Sequence, residues 1–233
     1  MLEVQGHRGA RGLWPENTLA AFAGALELGV SAVELDCGMT RDGVMVVTHD
    51  PDLNPDLTRG ADGRFLTATG PRIVDLTWRE LEAYDVGRLR PGSAYAARFP
   101  EQQAVEGERI PRLADVLALV RARGLGRVRV AIEVKTFPEE PRLTASPEAL
   151  VAALRRDVEA TGTLTLVSVM AFDWRVLTAA RALMPQAATV ALTEEQRGGD
   201  TVRVGAPEPS PWLGGLDPAR FGNSVVRLVK ATG

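Results

Sequence analysis

The stretch Glu34–Asp50, ELDCGMTRDGVMVVTHD, decides how this chain is read. Over Ala32–Met39 the residues alternate: Val33, Leu35, Cys37 and Met39 share one face, and Ala32, Glu34, Asp36 and Gly38 the other. That is the pattern of a β-strand, but with carboxylates where an inert face would be expected. Thr40-Arg41-Asp42-Gly43 follows as a turn, with Asp-Gly at the centre of a two-residue hairpin loop, and Val44–His49 returns as a second strand. In that register Arg41 faces Val44 and Asp36 faces His49, which sets His49 on the face carrying Glu34. Three groups able to handle protons or metals then share one patch with apolar residues behind it. On this stretch alone, a solvated ribbon face is an equally good reading.

Upstream, Leu2–Gly6 is a short strand candidate ending in His7-Arg8-Gly9. Asn17 or Thr18 can cap a helix through about Leu28, whose Leu19, Phe22, Leu26 and Val30 recur at helical spacing, with Gly29 as a stop. Strand, polar loop, helix and strand make a βαβ unit of a parallel sheet. Downstream the pattern lapses over Asp52–Arg109, apart from a short helix at Thr77–Tyr84 with Thr77 and Glu80 in capping-box positions. So long an irregular connection points to an insertion (residues 52–109) within one domain (residues 1–233), covering one end of it. Regularity resumes with a helix over Leu113–Arg123 and a strand over Val128–Lys135. Helices at Pro147–Ala160 and Asp173–Met184 then alternate with strands at Leu164–Met170 and Ala188–Leu192. Glu194–Pro211 is expected to be loop, and Leu228 and Val229 belong to a last helix. The alternation specifies a (β/α) barrel or a doubly wound sheet.

A chain of 233 residues suits one large α/β domain. A formal charge of −3 with scattered basic residues argues against a nucleic-acid partner and for a small-molecule substrate. The single cysteine, Cys37, rules out an intramolecular disulfide and a thiolate metal cage. No apolar run is long enough to span a bilayer, and the first residues do not resemble a signal peptide, so no stable membrane insertion and a cytoplasmic location are expected.

Both histidines of the chain, His7 and His49, follow predicted strands, at the end where parallel α/β folds assemble their sites. Two imidazoles are a natural acid–base pair. Glu34, Asp36 and Glu133 offer three oxygen donors on adjacent inward faces; buried without partners they would be costly, so a cation is implied, and oxygen-only ligation favours Mg²⁺ or Ca²⁺ over zinc. For Glu133 the competing assignment is a salt bridge with Lys135, two residues along the same face, and both can hold at once. Lys135 and Arg8 are candidate phosphate contacts.

The motifs His7-Arg8-Gly9, Glu16-Asn17-Thr18, Glu34-Leu35-Asp36, Thr40-x-Asp42-Gly43, His49-Asp50 and Glu133-Val134-Lys135, in this order across Val4–Phe172, resemble those of the glycerophosphodiester phosphodiesterases. The resemblance implies a TIM-type barrel and a divalent cation, Ca²⁺ or Mg²⁺, on Glu34, Asp36 and Glu133. It implies His7 and His49 as acid and base, Arg8 and Lys135 on the phosphate, and a role in glycerol and lipid metabolism. The implied reaction releases glycerol 3-phosphate and an alcohol. A lysophospholipase D-like activity and a non-catalytic phosphate- or metal-binding module are the alternatives. About six strands are legible, two short of the eight of a closed barrel, so a C-terminal truncation is expected.

Overall fold

The alternation over Ala32–Met39 produces a strand of the same bounds, β2, because both of its faces are covered: all but Met39 are buried. The computed structural model describes residues 3–196 and 198–232. In it β1 (Gln5–Gly6), β2, β4 (Arg129–Val134), β5 (Val167–Ala171) and β6 (Ala188–Ala191) run parallel in the order β1-β2-β4-β5-β6. The predicted first strand is shorter than expected, and Leu2 lies outside the described residues.

Helices connect these strands and stand side by side on one face of the sheet. α1 (Leu19–Glu27) is capped by Thr18, whose hydroxyl accepts from the Ala21 N–H. α2 (Trp78–Leu81) carries the predicted capping box of Thr77 and Glu80. α3 (Leu113–Arg123) has the predicted bounds. α4 (Pro147–Thr161) has Ser146 as its cap, proline in its first turn and Gly162 in the left-handed conformation at its end. α5 (Trp174–Leu183) is capped by Asp173. Val33, Leu35, Val130, Ile132 and Val169 pack outward against Phe22, Leu117, Leu150, Leu154 and Val176. One side of the sheet is thus spent on the core, and the alternate residues Glu34, Asp36 and Glu133 turn to the other. The result is a partial TIM-type (β/α) barrel.

β3 (Met45–Val47) departs from the expected register. Cys37 pairs with Val47 and Met39 with Met45, so Thr48, whose N–H donates to the Asp36 carbonyl, stands opposite Asp36, and His49 does not. The loop has three residues, Arg41, Asp42 and Gly43, with Thr40 N–H donating to Val44 O and Gly43 at φ +80°. A glycine able to take that left-handed conformation allows the three-residue closure in place of the two-residue one. The slip moves His49 off the ladder, and the chain turns beyond the strand end to bring it back. β3 is also antiparallel, so of the six predicted strands five are parallel staves and one is a hairpin return.

Residues 52–109 are less irregular than the sequence implies. They contain α2, two 3₁₀ turns (Ile73–Asp75 and Ala96–Arg98) and isolated bridges. Leu53, Ile73 and Leu81 gather with Val46 and Ile110 around an apolar centre separate from the main core. The segment leaves after β3 and returns beside it, where Val47 N–H donates to Pro111 O. Glu194–Pro211, expected to be loop, holds a small ribbon of β7 (Glu195–Gln196) and β8 (Gly199–Asp200). The last helix is α6 (Val225–Thr232).

Candidate metal and phosphate site

Asp36 and Glu133 are register partners on adjacent parallel strands, and Glu34 lies two residues below Asp36 on the same face. One carboxylate oxygen from each of Glu34, Asp36 and Glu133 lies within 4.8 Å of the others, and all three residues are buried. Oxygens on opposite sides of one Mg²⁺ or Ca²⁺ are about 4–5 Å apart, so this spread suits ligands of a single ion.

The turn after β1 wraps over this group. Arg8 (φ 53°) and Asn17 (φ 56°) hold left-handed conformations, and Gly9 (φ 82°) lies so close to α1 that a Cβ there would meet Ala21 atoms at 2.8 Å. The strained turn points Arg8 N–H at Glu34 Oε2 (2.8 Å), while Arg8 Nη1 donates to Glu16 Oε1 (2.7 Å). Arg8 Nε is 3.1 Å from Asp36 Oδ2, within ion-pairing distance but outside hydrogen-bonding geometry. Asn17 Nδ2 donates to Asp36 Oδ2 (3.0 Å). Just beyond the end of β4, Lys135 Nζ lies 3.1 Å from Asp36 Oδ1 and also bonds Glu133, so the predicted Glu133–Lys135 pair forms and extends to Asp36. His7 Nε2 is 3.7 Å from Glu34 Oε2. His49 Nδ1 is 2.6 Å from Asp50 Oδ1, and Asn54 steadies the other Asp50 oxygen (2.7 Å).

Charge is unevenly met in this group. Burial pushes the Glu34 carboxyl up to about 8, with the neighbouring charges of Asp36 and Glu133 adding to the rise. Burial likewise raises Glu133, against the pull of Lys135. Asp36 goes the other way: burial opposes its ionisation, but Lys135 and Arg8 hold it below the usual carboxylate range. Two cationic side chains therefore serve Asp36 and leave Glu34 without a full counter-charge. A hard divalent cation among the three oxygens would supply it, so the donor set fits such an ion. The linkage gives a signed expectation. With Glu34 raised from an unfolded value near 4.5 to about 8, the folded chain binds the extra proton between those pH values. Its stability contribution is full below about 4.5 and is lost as pH rises through 8. Thermal denaturation in chelator should show Tm falling across that window, and Glu34→Gln should flatten the fall; an unchanged slope in the variant would assign it to other groups.

Every residue predicted for the site lies in one neighbourhood. Glu34, Asp36, Glu133, Arg8 and Lys135 are in direct contact with one another's groups, His7 flanks Glu34, and His49 shares a cleft with Glu133 and Lys135. Sequence reasoning gave no role in the site to Glu16, Asn17 (read only as a possible helix cap), Asp50, Asn54 or Tyr95. The first three sit inside the recognised motifs, whereas Tyr95, whose hydroxyl donates to Glu16, lies in an irregular segment with no local signal.

Residues 7–214 match the model of the glycerophosphoryl diester phosphodiesterase family. A glycerophosphodiester phosphodiesterase of Caldanaerobacter subterraneus subsp. tengcongensis is 36% identical over 133 residues, covering 57% of this chain and 45% of its own length. One of Bacillus altitudinis is 33% identical over 133 residues, 57% of this chain and 46% of its own. The chain thus spans about half the length of these curated relatives. A solved structure from Silicibacter pomeroyi DSS-3, provisionally named a glycerophosphoryl diester phosphodiesterase, superposes with a TM-score of 0.81 at 35% identity over 92% of this chain and 72% of that one. Among the described residues no helix is long and apolar enough to cross a membrane. The motif order, the partial barrel and the buried carboxylates agree with these matches, and the chain belongs to the glycerophosphoryl diester phosphodiesterase family.

Proposed function

We propose that the chain hydrolyses glycerophosphodiesters to glycerol 3-phosphate and an alcohol. Three buried carboxylates with two cationic side chains among them and an imidazole on either flank carry this reading. Glu34, Asp36 and Glu133 would hold a divalent cation, Mg²⁺ or Ca²⁺. When bound, the cation offsets negative charge on the carboxylates and on the substrate phosphate.

Arg8 and Lys135 face the same centre and would take phosphate oxygens. Lys135 keeps its proton: burial works against the charge, but Asp36 and Glu133 outweigh it and raise the amine. Burial, with Arg11 and Arg8, lowers His7, so its imidazole is neutral and able to accept a proton at neutral pH. His7 would take the proton of the glycerol hydroxyl as that oxygen attacks phosphorus. An Nδ1–H donated to Asp50 orients His49 and leaves Nε2 to protonate the departing alcohol as its P–O bond breaks. Water then opens the cyclic phosphate with the roles exchanged: His49 takes the water proton and His7 returns its own to the glycerol oxygen.

In this reading the chain is one barrel domain and residues 52–109 are an insertion over one end of it, tied to the site through Tyr95 and Glu16. Phosphorus NMR of a glycerophosphodiester incubated with the protein and Mg²⁺ or Ca²⁺ tests the activity. Glycerol 3-phosphate and the free alcohol should accumulate together; a persistent starting resonance with both metals would refute it.

A further inference from the structure

The carboxylate site opens on one side into a cleft of about 430 Å³ lined by His49, Glu133 and Lys135 at its inner end. His7 is not part of that lining, so the cleft continues from the histidine assigned to the departing alcohol. Its outer walls come from three places: the loop after β4 (Phe137), the loop after β5 (Phe172) and the segment around β7, β8 and Trp212. Phe137 and Trp212 stack edge to face, with centroids 6.5 Å apart and planes at 79°. The Trp212 N–H donates to Glu139 (3.3 Å), which is itself ion-paired with Arg203, so the indole is held in place and that pair is neutral. Glu194 and Asp200 also line the cleft, and among the described residues neither carboxylate pairs with a cationic side chain.

We propose that this cleft receives the alcohol leaving group and selects one carrying a quaternary ammonium, such as choline. The assignment rests on the phosphodiesterase reading for the identity of the leaving group. Aromatic faces attract a weakly hydrated organic cation, and the Glu194 and Asp200 carboxylates add long-range attraction. Glycerol and inositol carry no charge and gain neither attraction. A primary ammonium, more strongly hydrated, gains less from the rings.

Two arms test this on the full chain. In the first, choline, ethanolamine and glycerol are titrated separately by calorimetry in the absence of any diester. Choline should bind tightest, and Phe172→Leu and Glu194→Gln should each weaken it by about 10-fold. In the second, kcat/KM is compared for glycerophosphocholine and glycerophosphoglycerol; wild type should favour the first, and each variant should reduce that ratio by about 10-fold. Trp212→Leu serves as a further variant if either of those fails to fold. Choline binding no tighter than glycerol or ethanolamine, or a ratio that no variant changes, would overturn the assignment. Choline binding that depends on Phe172 and Glu194, with no diester cleaved, would uphold the cation site and overturn the phosphodiesterase reading instead.

Discussion

His7→Ala and His49→Ala are each expected to lower kcat/KM for a glycerophosphodiester by about 10²–10⁴-fold, the usual contribution of a positioned general acid or base. One imidazole must start neutral and the other charged, so wild type should give a bell-shaped pH profile for kcat/KM. His7 is the member whose surroundings favour the neutral form, through burial and the nearby Arg11 and Arg8. Since the pair acts as a unit, the double variant should be little worse than the poorer single one. A diester releasing nitrophenol, which departs without a proton, should partly rescue His49→Ala and leave His7→Ala inactive. The reverse pattern would exchange the two roles, and wild-type rates for either variant on a natural substrate would end the catalytic reading of that residue.

The carboxylates should separate activity from stability. Asp36→Asn and Glu34→Gln are both expected to lower metal affinity and turnover together, by at least about 10²-fold in activity. Their effects on the chelated protein should have opposite signs. Asp36 is 1% exposed and accepts contacts from Arg8, Asn17 and Lys135, so its neutralisation removes the charge that Arg8 and Lys135 share and leaves them only Glu16 and Glu133. Breaking one partner of a buried pair costs about 3–5 kcal/mol, visible as a large drop in Tm. Glu34 carries the opposite imbalance, and replacing its carboxylate near pH 8 removes a charge that burial and Asp36 oppose. Glu34→Gln should therefore hold or raise Tm at that pH while activity falls. A Tm loss in Glu34→Gln equal to that of Asp36→Asn would show that Glu34 is not the under-compensated carboxylate.

What the sequence made legible follows from period and chemistry. β2 and α3 came out with their predicted bounds because each carries a clean alternation or stripe and a clear stop. The inward placement of Glu34, Asp36 and Glu133 followed from the same two-residue period. Register was not legible: a turn containing Asp-Gly closes as a two- or three-residue loop, and the choice shifts His49 by one position. The segment 52–109 was opaque for another reason. Its order comes from contacts distant in sequence, such as Tyr95 with Glu16 and Gln102 with the Arg11 carbonyl, which leave no local pattern. The left-handed Arg8 and Asn17 were hidden likewise, since a non-glycine residue gives no sign that its surroundings hold it at positive φ.

Metal dependence on a natural substrate bears most directly on the whole scheme. Release of glycerol 3-phosphate from glycerophosphocholine should stop in excess EDTA and return when Mg²⁺ or Ca²⁺ is added beyond the chelator. In parallel titrations, Asp36→Asn should require far more metal for the same recovery. Full activity in excess EDTA, with wild type and Asp36→Asn alike, would show that Glu34, Asp36 and Glu133 hold no cation needed for the reaction.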